Sequence, residues 1–210
     1  GRVKPETERL IREAIERAGY TKNMAGRALT VRRLSPVIGV VMSGQGNPFF
    51  DDVVAGIHRA AEEYRDWGVT LDVRNLSGYR LEDQLEAIRQ LSRVVSALIL
   101  QPINDEAVRT LIHELRERGI PTITLNSDLE GCERALYVGS DYYRGGRTAG
   151  GMLTLCMGGD ATVGVVGGSR AILGHTQRLL GFMDGLGAGM RVADTFFGED
   201  DLDTIYRGVT

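Results

Sequence analysis

A small set of side chains stands out for what it could do together. Asn47, Gln101 and Asn126 carry planar amides, Asp128 a carboxylate and Arg178 a guanidinium, and Phe49 and Phe50 follow Asn47 in the run NPFF. Amides give and accept hydrogen bonds, carboxylates accept them, and aromatic rings cover apolar C–H faces. That combination suits a small polyhydroxylated molecule such as a sugar. The two phenylalanines have a second use, as a staple holding the start of the next helix to the core. At least one of them is expected to be structural.

The residues for chemistry on such a molecule do not assemble. His58 and His113 fall within predicted helices, and His175 stands near a loop with no cysteine or serine constellation around it. No H-x-x-x-H or C-x-x-C spacing occurs, so no transition-metal site is expected. Ser140 sits in GSD, not G-x-S-x-G. The run SGQGNPF lacks the third glycine of G-x-G-x-x-G and the Lys-Ser/Thr of a phosphate loop. Asp51-Asp52 and Asp200-Asp201 read as acids that complement helix dipoles. The chain is therefore not expected to be an enzyme or to carry a cofactor.

The elements that must position these residues are plain in the hydropathy pattern. Apolar runs of strand length lie at 37–42, 69–74, 97–100, 121–125, 135–138, 161–166 and 191–197. Between them, helical patterns cover 48–66, 81–94, 105–118, 141–157 and 171–187, with a last one from about residue 200. Strict alternation of apolar strands and amphipathic helices predicts βαβ units, a parallel sheet and an α/β fold. Ligands of such sheets sit beyond the carboxyl ends of the strands. Residues 43–50, 101–105, 126–128 and 167–178 occupy those loops.

Composition supports a folded protein and splits its charge. With 42% hydrophobic and 25% charged residues in 210, the chain is neither disordered nor fibrous. Two cysteines cannot make a disulfide framework. No apolar run reaches the ~18 residues of a membrane span, and no signal peptide opens the sequence, which predicts a cytoplasmic protein. Residues 1–33 hold nine Lys/Arg against four acids, although the whole chain is −3. A basic head on an acidic body points to a polyanion partner for the head. Within that head, 5–18 reads as a helix ended by Gly19, and 23–31 as a short helix with little apolar surface that is marginal alone.

Residues 3–33, with Val3, Thr7, Gly19-Tyr20, Asn23 and Ala25 to Leu29, resemble the end of the DNA-binding domain of the lactose/galactose repressor family. The body resembles the ribose-like branch of that family's effector-binding core through VIGVVMSGQGNPFF (37–50), IPTITLNSD (120–128), VGSDYYRGGRTAG (138–150) and RLLGF (178–182). The resemblance implies a periplasmic-binding-protein-like core of two doubly wound parallel-sheet subdomains. The last helix of a helix-turn-helix domain and a hinge helix would precede it. The expected divisions are 1–35 for the head, 36–139 for the first subdomain and 140–210 for an incomplete second one. The family's first two helices would precede Gly1 and its core would run past Thr210, so the chain reads as a piece of a longer protein.

The implied mechanism is a repressor, dimeric by the same analogy, whose operator affinity is switched by a sugar or polyol closing the cleft between subdomains. The alternative on the same fold is a solute-binding protein of a sugar transport system. In the head, Leu29 matches the hinge leucine that wedges into the minor groove. Lys22, Asn23, Ala25, Arg27, Arg32 and Arg33 accompany it on the operator DNA. In the cleft, Asn47, Phe49 and Phe50 match the NPFF motif. Asn126 and Ser127 stand where the ribose-like branch often has aspartate and arginine. Arg178 matches the arginine of R-x-x-G-F, and Gln101, Asp128, Asp141, His175 and Phe197 are further candidates. Asp141 has a competing role as a helix cap.

Overall fold

The computed structural model describes residues 36–209 and, in the head, Glu6, Thr7, Arg9, Leu10, Glu13 and Arg17. Those head residues are helical, and Arg17 Nε donates to the Glu13 carbonyl at 3.2 Å. The hinge stretch 23–31 and the candidate DNA contacts Lys22, Asn23, Ala25, Arg27, Leu29, Arg32 and Arg33 lie outside the described residues.

From Pro36 onward strands and helices alternate. β1 (Val37–Met42) is followed by a 3-10 turn at Pro48–Phe50 and α1 (Asp51–Glu63). Next come β2 (Thr70–Asn75), α2 (Leu81–Leu91), β3 (Ala97–Leu100), α3 (Glu106–Glu117), β4 (Thr122–Leu125) and β5 (Leu136–Val138). The second half holds α4 (Tyr142–Cys156), β6 (Asp160–Gly167), α5 (Leu173–Gly185), β7 (Gly189–Phe197) and α6 (Leu202–Val209). The first five strands form one parallel sheet in the order β2-β1-β3-β4-β5, and β6 and β7 form a second parallel pair. This is the doubly wound α/β architecture.

The first sheet explains why its strands read as unbroken apolar runs. Side chains of one strand alternate between faces, and both faces of β1 are covered. Val41 joins Leu98, Leu100, Ile88 and Leu91 with Val108, Ile112 and Leu115 of α3. Val40 and Met42 turn the other way, to Phe50 and to Val53, Val54 and Ile57 of α1. With no solvent face, no polar alternation is needed. Val40, Val41, Met42, Leu100 and Ile112 are fully buried. At ~25 cal/mol per Å² of apolar surface removed from water, each such side chain contributes on the order of 1.5–3 kcal/mol.

The second half is built on helix contact. α4 and α5 meet backbone to backbone through glycines. A Cβ on Gly146 would collide with the Arg178 carbonyl, and one on Gly181 with the Tyr143 carbonyl. Gly150 faces Phe182, and Gly185 faces Arg147, in the same way. Four small residues, two on each helix, thus set how close the helices lie and where Arg178 stands relative to Tyr142.

Several boundaries differ from the sequence reading for local reasons. The pattern at 48–66 splits, because Asn47 caps a 3-10 turn by accepting from Phe49 N, and Gly68 in a left-handed conformation ends the region. The helix expected from 171 starts at Leu173, because Ala171 is used elsewhere: its carbonyl accepts from Asn104 N at 2.7 Å. Among the described residues, no helix is long and apolar enough to cross a membrane.

Candidate functional site

The two halves face each other across a cleft of about 220 Å³ at the carboxyl ends of the strands. It is lined by Asn47, Phe49, Phe50, Tyr79, Gln101, Asn126 and Ser127 from the first half. Tyr142, Ile172, Gly174, His175, Arg178 and Asp200 line it from the second. That volume holds one small molecule.

Each wall residue is held by its own local structure. Asn47 follows the two-glycine turn after β1, and its Oδ1 accepts from Phe49 N at 3.0 Å. Phe49 is 63% exposed while Phe50 is 3% exposed, their rings meeting edge to face at 5.0 Å. Phe50 belongs to the core and Phe49 offers its ring to the cleft. Gln101 follows β3 and is almost wholly buried; its Oε1 accepts from Ser43 N at 3.0 Å, joining the loops after β1 and β3. Asn126 follows β4 with φ +61°, a left-handed conformation that asparagine tolerates better than most residues. Its carbonyl is 3.0 Å from the Tyr137 hydroxyl, a group that burial pushes up to about 12.

Three polar contacts bridge the cleft. The Tyr142 hydroxyl donates to Asn126 Oδ1 at 2.7 Å, and Gly174 N donates to Ser127 Oγ at 3.2 Å. The Tyr79 hydroxyl donates to Asp200 Oδ2 at 2.5 Å. Asp200 also lies 3.3 Å from His175 Nε2. The hydrogen bond from His175, then that from Tyr79, hold the Asp200 carboxyl below the usual range despite its burial. Burial, then the hydrogen bond to Asp200, push the Tyr79 hydroxyl well above its ordinary value. Arg178 stacks on Tyr142, with its guanidinium carbon 4.6 Å from the ring centroid.

The cleft brings together Asn47, Phe49, Phe50, Gln101, Asn126, Ser127, His175 and Arg178 from the sequence-derived set. Three others do not line it, and each has work elsewhere. Asp128 accepts from Thr124 Oγ1 at 2.8 Å and pairs with Arg134 at 2.6 Å. Asp141 caps α4, accepting from Arg144 N at 2.9 Å. Phe197 lies under the Arg170 guanidinium, 4.1 Å from it. Sequence reasoning missed Tyr79, Tyr142, Ile172, Gly174 and Asp200. It also gave Asp200 to a helix dipole, whereas Asp201 is the residue at that helix start, accepting from Thr204 N at 2.7 Å. Among the described residues no His/Cys/Asp/Glu group could hold a metal ion.

Two α/β halves closing on a polar, aromatic-edged cleft define a small-molecule-binding protein of the periplasmic-binding-protein type. The chain belongs to the periplasmic binding protein domain family, whose model matches residues 38–210. It is 27% identical over 145 residues to the ribose import binding protein RbsB of Bacillus subtilis, covering 69% of this chain and 47% of that protein. It is 25% identical over 202 residues to catabolite control protein A of Priestia megaterium, covering 95% of this chain and 58% of that protein. Among solved structures it resembles an ABC transporter solute-binding protein of Burkholderia graminis C4D1M in complex with D-arabinose. That likeness has a TM-score of 0.76 and 24% identity, over 83% of this chain and 60% of the other. The chain spans about half the length of the curated relatives it matches.

Proposed function

We propose that this chain is part of a DNA-binding transcriptional regulator of the lactose/galactose repressor type, whose operator affinity is set by a small sugar-like molecule bound in the cleft. The observation that carries the reading is the reach of one likeness. The family domain begins at residue 38, yet the likeness to catabolite control protein A takes in 95% of the chain and so extends over most of the basic head. The likeness to the ribose import binding protein takes in 69%. In this reading the head approaches operator DNA through Lys22, Arg27, Arg32 and Arg33, with Leu29 at the minor groove. The protein works in the cytoplasm as a homodimer and does no chemistry on its ligand.

The cleft geometry supplies the switch. Bonds from Tyr142 to Asn126, from Gly174 to Ser127 and from Tyr79 to Asp200 exist only when the halves are close. A ligand touching both walls favours that closed arrangement by its difference in affinity for the two states. A hundredfold difference corresponds to ~2.7 kcal/mol of coupling to DNA.

The likeness to import binding proteins favours a second reading, a solute-binding protein of a transport system. One experiment separates the two. The whole protein is run in gel-shift assays on DNA from upstream of its own gene, with and without a panel of pentoses, hexoses and polyols. A retarded band that strengthens or weakens with one sugar supports the regulator. Sugar binding by a protein that retards no DNA supports the transport reading and defeats the first.

A further inference from the structure

The polar groups around the cleft are turned in one direction. Asn47 Oδ1 and Gln101 Oε1 each face a backbone N–H, of Phe49 and Ser43. A backbone N–H can only donate, so these contacts fix the oxygens on the protein side and leave the amide nitrogens unspent. Asn126 Oδ1 accepts from the Tyr142 hydroxyl. Ser127 Oγ accepts from Gly174 N and keeps its own proton to give. Asp200, the one acid in the lining, is shared by Tyr79 and His175. Arg178 has five N–H groups and no acceptor, and its close partner is the face of Tyr142 rather than a carboxylate.

Two further features have the same sign. The first turn of α5 faces the cleft through Gly174 and His175 and carries no acidic residue of its own, with Ser127 Oγ of the other half taking up the Gly174 N–H. Arg178 and Asp200 are opposite charges of the same lining and act on each other at a distance, but among the described residues no carboxylate lies within ion-pair reach of the guanidinium, and Asp200 Oδ2 is held by Tyr79 and His175.

Each hydroxyl of a neutral sugar gives one proton, and here those protons would go to Asp200, the tyrosine oxygens and the remaining lone pairs of amide oxygens already engaged by the protein. An anionic oxygen head group accepts only, and a guanidinium fork matches its two oxygens. Resting on the proposed reading of the cleft as an effector site, we infer that its ligand is an acidic polyhydroxy compound whose anionic group is bound by Arg178. A sugar acid and a sugar phosphate both carry that chemistry.

The test is calorimetric titration of the chain with D-glucuronate, D-gluconate, D-glucose 6-phosphate, D-glucose and D-ribose, at low and at 0.5 M salt. At least one of the three anions binds tenfold or more tightly than either neutral sugar, and its advantage shrinks in high salt as screening predicts. Which anion binds separates carboxylate from phosphate. Arg178→Gln brings the anion's affinity down toward that of glucose, and Arg178→Lys, which keeps a point charge without the fork, retains part of the preference. Glucose or ribose binding as tightly as every anion overturns the inference and leaves the regulator reading standing. So does a loss in Arg178→Gln that is equal for anion and neutral sugar. Silence from all five compounds, in a chain that melts cooperatively, overturns both.

Discussion

The hydroxyl of Tyr79 and the carboxylate of Asp200 meet at 2.5 Å across the cleft, although 121 positions separate them in the chain. Tyr79 comes from the loop before α2 in the first half. Asp200 comes from the turn after β7, where Glu199 and Asp200 both take left-handed backbone angles of +53° and +57°. Such angles are uncommon for residues other than glycine, and here they carry the acid into the cleft. Removing the hydroxyl in Tyr79→Phe deletes the bond but keeps the ring and the Asp200–His175 contact. The expected loss is about 1 kcal/mol. For a chain of this size that lowers the melting temperature by roughly 2–4 °C. An unchanged melting curve in scanning calorimetry would show that the contact contributes nothing to holding the halves together.

The same contact has a defined pH dependence. The Asp200 carboxyl is held down, chiefly by the hydrogen bond from His175 and then by that from Tyr79. A carboxyl lowered in the folded state stabilises that state fully above its unfolded value of about 3.9. The contribution disappears as pH falls through the lower folded value. Near neutral pH the clasp is therefore intact; its contribution begins to fall below the unfolded value and is gone only below the lower folded one. Asp200→Asn removes the carboxylate, so its melting temperature falls less steeply than that of the native chain over the acid limb. Parallel curves for the two proteins below pH 4 would refute this assignment.

Two neighbouring glycine sites on the helices beneath the cleft are expected to respond in opposite ways. Gly181 packs its Cα against the Tyr143 carbonyl, so Gly181→Ala forces α4 and α5 apart and costs roughly 1–3 kcal/mol. It also moves Arg178, one turn back on the same helix, away from the Tyr142 ring. A Cβ on Gly145 in α4 meets nothing within 4 Å. Gly145→Ala therefore raises stability by about 0.5–1 kcal/mol, the ordinary gain of alanine over glycine in a helix. Urea unfolding of the two variants checks both signs.

The fold was legible because its first sheet is covered on both faces. Burial leaves strands such as 37–42 apolar throughout, and they cannot be mistaken for the amphipathic helices between them. The loops at the carboxyl ends of those strands followed from the architecture, which is why Asn47, Gln101, Asn126 and Arg178 could be picked out. Asp200 could not, because a left-handed pair at 199–200 leaves no mark in periodicity. Tyr79 was hidden for a different reason: it precedes a helix at a distance in sequence from its partner. Phe197 shows the effect of register. β6 pairs Val163 with Val192 but Gly164 with Asp194, so Ala193 is an extra residue that flips the facing of the rest of β7. No alternation of apolar residues announces such a bulge.

Asn126 offers the sharpest test of how the cleft selects its ligand. The ribose-like pattern often places aspartate at this position, and the left-handed backbone at φ +61° suits aspartate nearly as well as asparagine. In Asn126→Asp the oxygen that accepts from Tyr142 remains. The unspent N–H donors are replaced by a charged acceptor on the wall opposite Arg178. That change gives a sugar hydroxyl a partner for its proton and repels an anion. The affinity for an anionic ligand should fall at least tenfold, and the affinity for D-ribose or D-glucose should fall much less or rise. Competition titrations with both compound types measure the ratio. Equal losses for anion and neutral sugar would mean that position 126 shapes the cleft without choosing the charge of what enters it.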